Sequence, residues 1–220
     1  MYKYLALFFI TATLALPANA QQQTAKLFKS YEYNQAKSEF LAKEGFYDCS
    51  TDFGREALCL DSVDFIGHEF GAVFYFMGDK LISVMLADEY EDQLYYQIAG
   101  ALAKTFTLTA MDSDTERLDL LELARTVQDR TDYDAKVNAF ESLSLERGEL
   151  TYIFIEGQAR EFKGKKNVVD AVQTLPLGTR EADFRVVENE EGSYMFVSFN
   201  QPRLTSTKVK QSMQQPVEDF

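Results

Sequence analysis

Histidine occurs once in the 220 residues, tryptophan not at all, cysteine twice and proline four times. One imidazole excludes any centre built from two or three histidines of a single chain, such as the His-rich zinc sites of hydrolases. Basic charge is scarce as well: 22 Lys and Arg stand against 35 Asp and Glu, a formal net charge of −13. That balance argues against binding nucleic acid or an anionic membrane through a broad basic surface. Pro- or Ser-rich linkers and low-complexity tracts are missing. Past the first sixteen residues no apolar run approaches the roughly 20 residues that a spanning helix needs. The lack of Trp counts modestly against a carbohydrate platform.

What is present is apolar and aromatic. Hydrophobic residues make up 46% of the chain, with 18 Phe and 12 Tyr, ample for a packed core and more than hairpins alone require. The surplus rings are expected to line a pocket or an interface.

Residues 1–20 have the form of a secretory signal. Lys3 supplies the positive start, Tyr4 to Leu16 an uncharged apolar run, and Pro17 a break. Ala18-Asn19-Ala20 then offers small residues where a signal peptidase cuts. The expectation is export to the bacterial periplasm or beyond, with cleavage after Ala20. Loss of Lys3 takes the net charge from −13 to −14. In an oxidising compartment Cys49 and Cys59, ten residues apart, are expected to form a structural disulfide. Their spacing is not that of a C-x-x-C redox pair.

Periodicity predicts an α+β fold: antiparallel hairpins or a meander with amphipathic helices laid on one face of the sheet. Ala25 to Lys43 reads as an amphipathic helix through Leu27, Phe28, Tyr31, Phe40 and Leu41, with a break near Asn34. Ala57 to Ile66, Ala72 to Phe76 and Leu81 to Leu86 read as strands, the last two joined through Met77-Gly78-Asp79-Lys80. Asp88 and Glu91 suggest a capping box opening a helix through Lys104. Residues 111–147 read as two helices broken near Asp129 to Asp132. Leu150 to Ile155 returns to strand, and Ala182 to Val187 pairs with Ser193 to Phe199. Residues 21–220 are expected to form one globular unit, with two intimate lobes, about 24–110 and 111–220, as the alternative division.

The search for chemistry is mostly negative. His68-Glu69 opens like a zinc-helix motif, but the position four residues on is Ala72 and no second His exists. Gly67 and Gly71 place His68 in a turn, and no G-x-S-x-G elbow accompanies it. Asp112, Asp114 and Glu116 alternate like a calcium loop but lack its glycine and its bidentate acid, and a helix cap explains them better. Arg160, Lys163, Lys165 and Lys166 are the one basic cluster, a candidate patch for an anion or an acidic partner. No catalytic, cofactor or metal residue is assigned. The reading is an exported binding or accessory protein of the envelope that holds a protein partner or a small ligand. The alternative is a hydrolase using dispersed carboxylates or His68.

Overall fold

The computed structural model describes residues 25–213; the leader, the stretch before Ala25 and the residues after Met213 lie outside them. The chain opens with β1 (Lys26–Phe28), β2 (Tyr31–Glu32), α1 (Lys37–Leu41), β3 (Tyr47–Asp48) and α2 (Ser50–Phe53). Three long strands follow: β4 (Ala57–Phe65), β5 (His68–Phe76) and β6 (Leu81–Glu89). Next come α3 (Asp92–Leu102), β7 (Phe106–Asp112), β8 (Arg117–Asp119), α4 (Leu120–Thr126) and α5 (Arg130–Glu146). The last elements are β9 (Glu149–Glu156), α6 (Val168–Thr174), β10 (Glu181–Asn189), β11 (Gly192–Asn200) and α7 (Pro202–Met213). The chain is thus mixed α+β with an antiparallel sheet.

Among the described residues, nine strands form one sheet in the order β3-β4-β5-β6-β11-β10-β9-β7-β8. Local turns write most of it. Ile66-Gly67 and Gly78-Asp79 each place two successive residues at positive φ, the geometry of a two-residue turn whose twist matches the flanking strands. The non-local step is β6 against β11, which sets Ser83 opposite Asn200 and Glu89 opposite Tyr194.

One face of the sheet carries Phe70, Phe74, Leu86, Leu150, Phe154, Phe184 and Val197, all buried. Leu94, Ile98 and Leu102 of α3 complete this layer, and Tyr133, Val137 and Phe140 of α5 pack against it. α5 is further held where Glu141 accepts the Tyr152 hydroxyl, which in turn meets the Tyr95 hydroxyl at 2.7 Å. Burial pushes both phenols up, so Tyr95 and Tyr152 are held neutral in this network.

Helices lie on both faces, not on one. In β9 the residues between the first set, Ile153 and Ile155, are also apolar, and they pack with Phe162, Val168, Ala171 and Leu175. A strand apolar at both parities needs a layer on each side, and α6 with the loop before it supplies the second. Towards β4 the same second face holds Cys49, Ala57, Cys59, Val73 and Tyr75. Between those two covers the faces of β6, β11 and β10 stay half-buried.

Other expectations are corrected. The helix expected over 25–43 is the β1–β2 ribbon followed by five residues of α1. Lys29 and Asn34 take φ of 50° and 67°, which a continuous right-handed helix excludes. Phe40 anchors α1 in a ring cluster with Phe46, Phe74 and Phe76 at centroid distances of 5.3–5.5 Å. Asp88 does not cap α3: β6 continues through Glu89, and the cap position is Glu91. Asp112 to Glu116 is the turn of the β7–β8 hairpin, with Asp112 bound to Arg117. The side chain that caps α4 is Asp119, accepting from the Leu121 and Glu122 amides. The break between the two helices stands, with Asp129 capping α5. His68 is the first residue of β5, just past the turn.

Cys49 and Cys59 are bonded, fastening the start of α2 to β4. Replacing both with Ser is expected to lower stability by about 2–3 kcal/mol, the loop-entropy contribution of so short a ring. Urea unfolding of the oxidised protein measures it, and an unchanged midpoint would refute the structural role.

Candidate functional site

Three segments meet beyond the end of the sheet where β9 finishes and β10 begins. The first is the β1–β2 ribbon with the start of α1. Its return into the fold is fixed by backbone bonds from the Asn34 amide to the Leu81 carbonyl and from the Leu81 amide to the Gln35 carbonyl, both 2.9 Å. The second is the turn after β9, where Gly157 takes φ 136° and a 3-10 turn spans Ala159–Glu161. The third is the loop Leu175–Thr179 after α6, closed by the Thr179 amide on the Pro176 carbonyl. Arg203 of α7 donates to the Leu175 carbonyl and holds that loop from below.

Arg180 ties these parts together. Its guanidinium grips Glu156 with two bonds, Nη2 to Oε1 at 2.6 Å and Nε to Oε2 at 3.1 Å, and Nη1 reaches the Leu27 carbonyl at 3.2 Å. It also lies 5.1 Å from the centre of the Phe106 ring. A bidentate, partly buried pair of this kind fixes geometry far better than an exposed ion pair. Burial pushes Glu156 up, but the Arg180 bonds outweigh it and leave the carboxyl below its ordinary value.

The space between the three segments is a cleft of about 1050 Å³, at the upper end of the size range for small-ligand sites. Ala25, Leu175, Pro176, Leu177 and Leu204 give it an apolar wall. Tyr33, Asn34, Gln35 and Thr179 add groups able to hydrogen-bond. Glu32, Glu39, Glu156 and Glu161 add four carboxylates, and among the described residues no Lys, Arg or His lines it. Glu39 is held ionised: bonds from the Gln35 side chain and the Ala36 amide, then Lys43 and Lys80, lower its pKa. Glu161 accepts from the Gln158 amide at 2.9 Å. Nothing here resembles a nucleophile with a base. The cleft can desolvate a body with apolar surface and offer carboxylates and amides to its polar end.

The basic cluster begins in the 159–161 turn with Arg160 and continues on the loop to α6 with Lys163, Lys165 and Lys166, next to this cleft but not among its lining residues. Lys165 is committed to the Thr174 hydroxyl at 2.6 Å, and the Lys166 amide to Asp170. Arg160, Lys163 and Lys166 are exposed. His68 Nε2 pairs with Asp88 at 2.8 Å rather than with a hydroxyl or thiol. Among the described residues no three His, Cys, Asp or Glu side chains are grouped as metal ligands.

A second polar centre sits on the half-buried sheet face. Ser83 donates to Asn200, Asn200 donates to Asp183, and Glu181 precedes Asp183 on the same face of β10. Arg117, gripping Asp112, is the cation that reaches this group. Burial, then the charges of Glu181 and Asp112, push Asp183 up to about 8 against the opposing pull of Arg117 and Asn200. Glu181 is raised too, first by burial. The sequence E-A-D-F-R-V signals this in its alternation, one parity apolar and the other charged. The cleft carboxylates had no such signal, because residues as far apart as Glu32 and Glu161 share no local pattern.

An acid raised in the folded state keeps its proton where the unfolded chain has lost it, so stability falls as pH rises between 3.8 and about 8. Asp183→Asn is expected to remove that slope and to raise stability at the alkaline end. Chemical unfolding across the range measures it, and an unchanged slope would show Asp183 ionised throughout. Comparison with protein-family models, with curated proteins and with solved structures returns no match for this chain.

Proposed function

We propose that the chain is an exported binding protein of the bacterial envelope that holds a ligand in the cleft bordered by the N-terminal ribbon and the 175–179 loop. The observation that carries this reading is the cleft itself, with its apolar wall, its hydrogen-bonding groups and its walls pinned to the sheet by Arg180 and Arg203. A site held in place this way loses little entropy when a ligand enters. The Cys49–Cys59 bond is compatible with an oxidising address, and the leader with cleavage after Ala20 supplies the route. In this reading the site binds and does not transform.

One observation favours a hydrolase as the second reading: Asp183 and Glu181 are acids raised by burial, as general acids are. An activity screen on peptidoglycan fragments and glycosides decides it. Turnover abolished by Asp183→Asn in a folded protein would establish it, and silence across the screen would remove it.

For the cleft, the test is a variant that fills it. Gly178 lines the cleft and is exposed, and a Cβ there would meet Ala25 only at ordinary contact distance, 3.5 Å, so Gly178→Trp is expected to fold and to occupy the space, with circular dichroism checking the fold. Native mass spectrometry of protein purified undenatured from envelope extract is expected to show a bound species that the variant has lost. Added back at about 100 times its Kd, that species stabilises the wild type by about 2.7 kcal/mol. Identical masses for wild type and variant would contradict the reading.

A further inference from the structure

We infer that the cleft is built for a cation: a primary ammonium group carried on a chain of methylenes. This rests on the cleft being the ligand site and names the chemistry it accepts. Of its four carboxylates, Glu156 is neutralised by the Arg180 fork, which lies behind it. Glu39 feels Lys43 and Lys80. Glu32 on the ribbon and Glu161 on the 3-10 turn also line the cleft; Glu161 accepts the Gln158 amide, and neither has an ion-pair partner among the described residues. Lys208 reaches the edge of the cleft, where its ammonium donates to the Asn34 side chain at 3.4 Å.

A neutral or anionic body entering this space would strip water from those carboxylates and return nothing to them, the costly way to bury charge. An ammonium supplies three donors and the opposite charge at once. The wall of Leu175, Pro176, Leu177 and Leu204 suits the methylenes behind it, as lysine stems lie along apolar surface while the head stays polar. The chain's formal charge of −13 draws cations in the same direction. Two sources carry this chemistry: a free aliphatic polyamine, or the lysine side chain of an exported peptide.

The experiment is isothermal titration calorimetry on the chain 21–220, the expected exported form, with matched probes. These are 1,8-diaminooctane and spermidine for free amines, a terminally blocked tetrapeptide holding two lysines for the peptide source, and octanoate and octanol as anionic and neutral counterparts. The amines or the peptide are expected to bind and octanoate not. Glu32→Gln with Glu161→Gln is expected to weaken that binding at least about tenfold, and raising salt from about 50 to about 500 mM to weaken it further. The stronger of the amine and peptide arms identifies the source. Octanoate or octanol binding as tightly as the diamine, with Gly178→Trp abolishing it, would overturn the cation assignment while leaving the cleft as the site. Amine binding that ignores Gly178→Trp would overturn both. Amine binding unchanged by the double Gln variant, or no heat from any amine or peptide, would overturn the cation assignment.

Discussion

Pairing of β6 with β11 is the constraint on which the rest of the structure depends. More than a hundred residues separate Ser83 from its partner Asn200 in the chain, a separation of 117, and their strands join what would otherwise be two strand clusters. Once joined, β5, β6, β11, β10 and β9 present one continuous aromatic face, and the β1–β2 ribbon, α1, α3 and α5 are the elements that exclude water from it. Removing so much apolar area from water is the dominant favourable term. The ladder also costs the most in loop closure, because its contacts are the least local. The short hairpins on either side offset this by forming with almost no loop at all.

The cleft is a by-product of the same arrangement. β1 lies against β6 and β11, so the ribbon overhangs the end of the sheet instead of continuing it. α6 on the opposite face delivers the 175–179 loop to the same end. Arg180, at the entry to β10, sits where both can be reached, and its fork on Glu156 with a third bond to Leu27 converts proximity into a fixed wall. The Asp183 group is already satisfied within itself, Ser83 to Asn200 to Asp183, which suits a structural network as well as a chemical one.

Much of the architecture was legible in the residues, because β-hairpins and capped helices are written locally. Gly78-Asp79 marks its turn, and Asp129 marks the start of α5. The run Thr151 to Ile155 is recognisably a strand, but the expectation of helices on one face overlooked that its apolar residues occupy both parities and need a layer on each side. The N-terminal segment misled because Leu27, Phe28, Tyr31 and Phe40 fit a helical face as well as a hairpin. What separates the two is the positive φ at Lys29 and Asn34, which Asn accepts readily, as the expected break there reflects, and which Lys does not signal. The Asp112 to Glu116 acids misled for a related reason: a cap and a hairpin turn both favour Asp and Ser. The Cys49–Cys59 pairing followed from the number and spacing of the cysteines together with the oxidising compartment that the leader led one to expect. Little of the cleft was visible, since its lining is drawn from residues 25–39, 156–161, 175–179 and 204, brought together only by the long-range ladder. The basic cluster that did stand out proves to be its neighbour.

Binding at this end of the sheet has a localised signature. Amide chemical-shift mapping by NMR, on the oxidised chain titrated with the species that co-purifies with it, tests that most directly. The perturbed amides are expected to gather in 31–39, 156–161 and 175–179. A cluster of shifts on the Glu181–Asp183 face, or along the exposed side of α5, would contradict it.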